Sequence, residues 1–210
     1  ALCKIDTIGY SINGWPILCL IISDNIGTDE DEPEFWWSGT MHGDEITGYV
    51  LLLRFADYLL SNYNSNPTVA NLVNNMEIYI NPLANPDGTF YGSTGGTLIH
   101  DNHRYNANDA DLNRSFPMPN GSTPEFSIQP ETQCMMDYAA DHDFVMAVNT
   151  HGGTECVNYP WDTWLSADRP HADNNWWYFV SYVYANEVEI DAPSTYFEGP
   201  GTMYNIGGTN

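Results

Sequence analysis

Short β-rich apolar runs alternate along this chain with stretches whose apolar residues recur at helical spacing, and this alternation restricts the fold more than any other feature. Residues 4–10 and 15–23 are β-rich and are joined through Asn13-Gly14, a pair that tolerates positive φ at both turn positions, which predicts a hairpin. Residues 34–38 predict a short buried strand that runs directly into His42-Gly43-Asp44-Glu45. From Glu45 the period lengthens, and Val50, Leu51, Leu53, Phe55, Tyr58 and Leu59 predict a long helix ending near Ser61-Asn62. Asn66-Pro67 opens a second helix to about Asn75, and residues 77–81 form a strand stopped by Pro82. Pro130 suits the first turn of a helix over 131–141, residues 144–149 suit a buried strand, and residues 176–188 suit a further helix before a loop-like end. Strands alternating with helices imply an α/β fold with a central sheet, and 210 residues suit a single domain with a full core.

Residues 85–126 break the pattern, being poor in periodicity and rich in Gly, Asn, Asp and Pro. A loop of that length inside a compact domain is usually functional or disordered. This one carries Arg104 and Arg114, two of the five fixed cations (Lys4, Arg54, Arg104, Arg114 and Arg169) in a chain whose formal charge is -23. Such a field repels phosphate backbones, which argues against nucleic acid as a partner, and it reads either as a solvated acidic surface or as an attraction for cationic substrates. No apolar run reaches the ~18 residues of a membrane span. Cys3, Cys19, Cys134 and Cys156 lack the CxxC and CxxH spacings of a zinc ribbon or a redox motif, and they allow three disulfide pairings or free thiols.

His42 and Glu45 are spaced i, i+3 at a strand-to-helix junction, where one helical turn brings both side chains to one point. A catalytic zinc needs three protein ligands and an open position for water, and two His with one Glu is a known solution. His151 sits just past the end of a predicted strand, where open α/β sheets place their ligands, and is the expected third ligand. Surface or core packing is expected of His100, His103, His142 and His171 instead. A fixed guanidinium can stabilise the charge that develops on an attacked carbonyl, and an arginine fork matches a free carboxylate. Arg104 and Arg114, between the candidate ligands, suit these two tasks.

His42-x-x-Glu45, Asn85-Pro86-Asp87-Gly88, Arg104, Asp111-Leu112-Asn113-Arg114-Ser115-Phe116 and Thr150-His151 occur in the order in which the zinc metallocarboxypeptidases carry such elements, and from about residue 5 to 210 the chain resembles that family. The resemblance implies a mixed central β-sheet flanked by helices and one Zn²⁺ held by His42, Glu45 and His151. It also implies Arg104 as carbonyl polariser, Asn113 with Arg114 as the clamp for a terminal carboxylate, and Tyr204 as a mobile cover. The partners it implies are peptide or protein C-termini. His151-Gly152-Gly153-Thr154 and Asn158-Tyr159-Pro160-Trp161-Asp162 are similar to the regulatory branch of the family, represented by carboxypeptidases D, E and N. There the Asp eleven residues after the His favours C-terminal Lys or Arg, a role that falls to Asp162, whose alternative is a turn after Pro160.

The chain departs from the family in two places. Asp44 stands where pancreatic relatives have an Arg that helps bind longer peptides. The family's general base is a Glu on a late strand beyond the mobile Tyr, whereas Glu187, Glu189 and Glu198 all precede Tyr204. The expectation is therefore a chain incomplete at its C-terminal end, lacking the last strands. The main reading is an exported exopeptidase removing C-terminal Lys or Arg. The alternatives are a zinc-dependent module that binds C-termini without cleaving them, and an amidase acting on cell-wall peptides.

Overall fold

Strands β1 (Cys3–Tyr10) and β2 (Pro16–Ile22) pair antiparallel as the hairpin that Asn13-Gly14 predicts, but the turn is of a different kind. Gly14 alone takes a left-handed φ, +82°, and Gly14 N–H donates to Ser11 O while Ser11 N–H donates to Trp15 O, both at 2.9 Å. This is a three-residue loop closed by a left-handed glycine, in which Asn13 keeps an ordinary φ. Buried carboxylates explain the choice. Asp87 accepts from Ser11 Oγ at 2.8 Å and Asn13 N–H at 3.1 Å, and Glu131 accepts from Ile12 N–H at 3.3 Å.

Next along the chain come β3 (Glu34–Gly39), α1 (Thr47–Asn62), α2 (Pro67–Val73), β4 (Glu77–Asn81) and a single turn α3 (Pro86–Thr89). They are followed by α4 (Pro130–Ala140), β5 (Phe144–Thr150) and α5 (Asn174–Asp191). The structure is a computed structural model that describes residues 1–28, 30–93, 95–96, 98–154, 156–161, 163 and 168–191. The expected helix starts have local causes: Asn66 Oδ1 caps α2 by accepting from Thr68 and Val69 N–H, and Pro130 occupies the first turn of α4. The long loop is less irregular than its composition suggests, since it also holds a 3₁₀ turn at Leu112–Arg114 capped by Asp111.

The strands form one mixed sheet in the order β1-β2-β4-β3-β5, with β3 parallel to both β4 and β5 and the other pairs antiparallel. Alternation along the strands divides the core in two. On one face Ile22, Ile78 and Ile80 pack against Leu52, Ala56 and Leu59 of α1 and Val69 and Val73 of α2. On the other, Cys19, Ile21, Trp36 and Tyr79 pack against Met135 of α4 and Leu112 of the loop. Val50, Leu51, Leu53 and Tyr58 of α1 are 40–50% exposed, because Leu52, Ala56 and Leu59 take the face toward the sheet. Strand β5 lies at the sheet edge with alternate residues exposed, Val145 at 61%, rather than buried on both sides.

The chain divides into two compact units. Residues 1–116 and 124–152 contain the sheet and α1 to α4. Residues 117–123 and 153–210 contain α5, in which Ser181 and Ala185 are buried. Cys3, Cys19 and Cys134 are free thiols. Among the described residues no helix is long and apolar enough to cross a membrane.

Candidate metal centre

Gly39 of β3 pairs with Thr150 of β5, and Ser38 with Asn81 of β4, so three parallel strands finish at one level of the sheet. The segments leaving them carry the candidate site, at the carboxyl edge where open α/β sheets bind ligands. Thr40 turns the chain out of β3 with φ +57°, a left-handed conformation that a β-branched residue adopts at a cost of about 1–3 kcal/mol. Asn85 N–H donates to Thr40 O at 3.1 Å and helps hold it. Glu45 N–H then donates to His42 O at 3.1 Å. His42 and Glu45 thus share an isolated turn rather than the first turn of α1, which begins two residues later at Thr47.

Three side chains converge there. His42 Nδ1 lies 2.8 Å from Glu45 Oε1, His151 Nδ1 lies 2.9 Å from Glu45 Oε2, and the two Nδ1 atoms are 3.2 Å apart. The ligand atoms of His42, Glu45 and His151 all fall within 4.8 Å of one another. Two nitrogens on one tetrahedral zinc at about 2.0–2.1 Å stand roughly 3.3–3.4 Å apart, so the spacing fits that ion. The tautomer fits as well. His42 Nε2–H donates to Asp111 Oδ1 at 3.1 Å, which leaves the Nδ1 lone pair facing the cluster, as a metal-bound histidine with a carboxylate partner requires. His42 and Asp111 are nearly buried, at 4% and 7% side-chain exposure, whereas His151 and Arg104 are 35% and 37% exposed and mark the open side.

Asp111 links the cluster to Arg104. Its Oδ1 accepts from His42 and from Asn113 N–H at 2.9 Å, and its Oδ2 accepts from Arg104 Nε at 3.0 Å and Nη2 at 2.9 Å. Arg104 Nη1 also stands 3.5 Å from Glu45 Oε1. Burial pushes the Asp111 carboxyl up, but hydrogen bonds and charge from His42 and Arg104 outweigh it and bring it to about 2. For Glu45 burial is likewise overcome, by bonds from His151, His42 and Gly152 N–H, and the carboxyl stays well below its ordinary range. Burial opposes charge on His42, yet Asp111 and Glu45 raise its pKa. The result is an anionic pocket made to receive a cation. Asn113 and Arg114, two and three residues after Asp111, are half-buried. Arg114 Nη1 donates to Asn113 O at 3.1 Å, and among the described residues no carboxylate pairs with its guanidinium.

Behind the cluster, backbone meets backbone. Gly43 N–H donates to Arg104 O, His103 N–H to Gly88 O, and Thr89 Oγ1 to Gly43 O, at 3.2, 2.8 and 3.0 Å. A Cβ on Gly43 would overlap backbone atoms of Gly88, Thr89 and His103, so glycine is needed for this approach.

The structure thus brings His42, Glu45, His151 and Arg104 together, with Asn113 and Arg114 on the adjoining turn. Asp162 and Tyr204, like Glu198, lie outside the described residues. Asp44 is exposed. The remaining histidines pack elsewhere. His142 stacks among Tyr79, Tyr138 and Phe144, His103 lies between Tyr91 and Tyr105, His100 is exposed beside Asp101, and His171 contacts Asp173 in the second unit. Asp111, whose carboxylate joins His42 to Arg104, is a candidate site residue to which the sequence assigned no task. Its signal was available, because a ligating histidine ordinarily has a carboxylate on its second nitrogen and Asp111 lies in the loop between the ligands.

A family model described as zinc carboxypeptidase matches residues 1–209. The chain is 39% identical over 160 residues to carboxypeptidase D of Homo sapiens, covering 76% of this chain and 11% of that protein. It is 38% identical over 162 residues to carboxypeptidase SOL1 of Arabidopsis thaliana, covering 76% and 31%. The chain therefore spans a minor part of the length of these relatives. The crystal structure of the carboxypeptidase A from Helicoverpa armigera superposes with a TM-score of 0.73 at 20% identity, over 92% of this chain and 50% of that one.

Proposed function

The chain belongs to the zinc carboxypeptidase family, and from that premise we propose that it is the catalytic part of a metallocarboxypeptidase that removes single residues from peptide C-termini. The observation that carries this reading is the convergence of His42 Nδ1, the Glu45 carboxylate and His151 Nδ1 beside Arg104, with Arg114, which has no carboxylate partner among the described residues, on the next turn. When bound there, one zinc ion supplies a Lewis acid and lowers the pKa of a water molecule. Asp111 fixes His42 through Nε2 and orients the Arg104 guanidinium through Nε and Nη2. Arg104, on the open side, stabilises the negative charge that develops on the scissile carbonyl oxygen. Arg114, with Asn113, receives the terminal carboxylate as a two-pronged donor. Tyr204 covers the bound residue, and a carboxylate outside the described residues accepts the proton of the attacking water.

Preference for C-terminal Lys or Arg rests on Asp162, eleven residues beyond His151, and on a chain charge of -23 that draws cations in. The same reading takes residues 1–210 as one catalytic domain, supported by a family match that crosses both compact units, and places the enzyme outside the cell. The test is a mass-spectrometric digest of a mixed peptide library by the full-length protein, with and without a zinc chelator. Chelator-sensitive loss of single C-terminal Lys or Arg is the expected result. Loss of other single residues keeps the activity and removes the role of Asp162. No cleavage by a sample that holds zinc would sink the enzymatic reading in favour of a module that binds C-termini.

A further inference from the structure

Asn85 is fully buried, and both the oxygen and the nitrogen of its side-chain amide bond to neighbouring backbone, yet it bonds to no ligand of the metal cluster. Its Oδ1 accepts from Gly88 N–H at 2.9 Å, and its Nδ2 donates to Met41 O at 3.2 Å and to Arg104 O at 3.3 Å. Met41 immediately precedes His42, and Arg104 O is also the acceptor for Gly43 N–H. The side-chain amide therefore spans the segment that carries His42 and Glu45 and the segment that carries the guanidinium. Asp87, in the same motif, faces away from this link and binds the β1–β2 turn.

We propose that Asn85 is a positioning residue that sets the Arg104 guanidinium against the His42–Glu45 cluster by tying together the backbones of Met41 and Arg104. The residue type follows from the contacts. Two carbonyl oxygens require two donors on one atom, and the Gly88 N–H requires an acceptor beside it, which a planar amide of this length supplies. An ionised aspartate would set an oxygen against two carbonyl oxygens, and alanine would take the side-chain partner from Met41 O and Gly88 N–H and leave Arg104 O with Gly43 N–H alone. Displacement of about 1 Å at a reacting centre costs roughly 10²-fold in rate, so a backbone tie can act on chemistry through Arg104 alone.

The consequence for rate rests on the carboxypeptidase reading, and the experiment separates the two. In the full-length, zinc-loaded protein, Asn85→Asp is expected to lower kcat about 10- to 100-fold and to leave KM within about threefold. In an Arg104→Ala background the same substitution should change kcat by less than about threefold, because residues acting through one group are not additive. Independently of activity, the ¹⁵N–¹H signal of Arg104 Nε, assigned through Arg104→Lys, should shift in Asn85→Asp while that of Arg54 does not. A full multiplicative loss in the Arg104→Ala background, or an unmoved Arg104 Nε signal, overturns the proposal. If the unaltered protein cleaves nothing, the enzymatic reading fails and the Nε signal still decides the role of Asn85. If Asn85→Asp does not fold, Asn85→Ser, which drops the double donor, carries the same readouts.

Discussion

His42 Nδ1 and His151 Nδ1 face each other at 3.2 Å across 109 positions of sequence, with one Glu45 oxygen beside each. Two nitrogens and two carboxylate oxygens so placed call for a cation between them. The unaltered protein is expected to retain one equivalent of zinc through dialysis, and His151→Ala to lose it. Elemental analysis by plasma mass spectrometry checks this, and retention by the variant would show that the three side chains are not the ligand set.

Asp111→Asn keeps the shape of the side chain and removes its charge. Zinc affinity should fall about 10- to 100-fold, the usual effect of losing a carboxylate behind a ligating histidine. Competition against a chelating dye measures it. An unchanged affinity would mean that the bond to His42 Nε2 does not support the ligand.

Arg104 is already paired with Asp111 and Glu45, whereas Arg114 has no carboxylate among the described residues. Arg114→Ala should lower kcat/KM for free C-termini about 10- to 100-fold, as loss of a charge-assisted contact of ~1.5–3 kcal/mol implies, and should hardly alter residual turnover of amidated peptides. Equal losses on both substrates would remove the clamp role.

Gly43→Ala places a methyl group against backbone, which cannot rotate away. A loss of about 1–3 kcal/mol in unfolding free energy is expected, together with weaker zinc binding as the His42 segment lifts. Urea unfolding with and without zinc reports both effects. A variant as stable as the parent would mean that the contact with Gly88 and His103 is looser than described.

Burial raises the Cys19 thiol from 9.0 to about 12. Burial also raises the phenol of Tyr138, and burial with the hydrogen bonds to Glu77 and Glu34 raises that of Tyr79, both from 10.0. All three are acids kept neutral by the fold. Their contribution to stability is full below about pH 9 to 10 and is lost as the pH rises beyond it. At about pH 11, phenolate absorbance from these tyrosines should appear only on unfolding, and Cys19 should resist alkylation in the native state. Ordinary ionisation of both tyrosines in the folded protein would contradict the burial of this cluster.

Local chemistry made much of the architecture legible in sequence. Pro82 ends β4, Asn66 and Pro130 start helices, and β-rich runs between breakers became strands at nearly the expected bounds. Residue order and type sufficed to single out His42, Glu45 and His151, whose ligand atoms the fold brings within 4.8 Å of one another. The missed features depend on which distant segments meet. Nothing local shows that Asp87 faces the Ser11–Asn13 turn, so the turn type was misjudged, or that Asn85 joins Met41 to Arg104. Apolar residues also mark a helix without marking its buried face, because folded surfaces retain much apolar area, and this is why Val50 and Leu51 point outward while Leu52 does not.

The pairing of Gly39 with Thr150 carries a consequence for the order of folding. Closing a loop as long as the one between the two histidines costs roughly 4 kcal/mol of chain entropy, and that cost falls before any bond to a shared ion can form. A metal that needs both side chains meets a chain whose β3 and β5 have already found each other. It therefore locks a finished sheet, slowing its opening, while topology sets the rate at which the sheet forms.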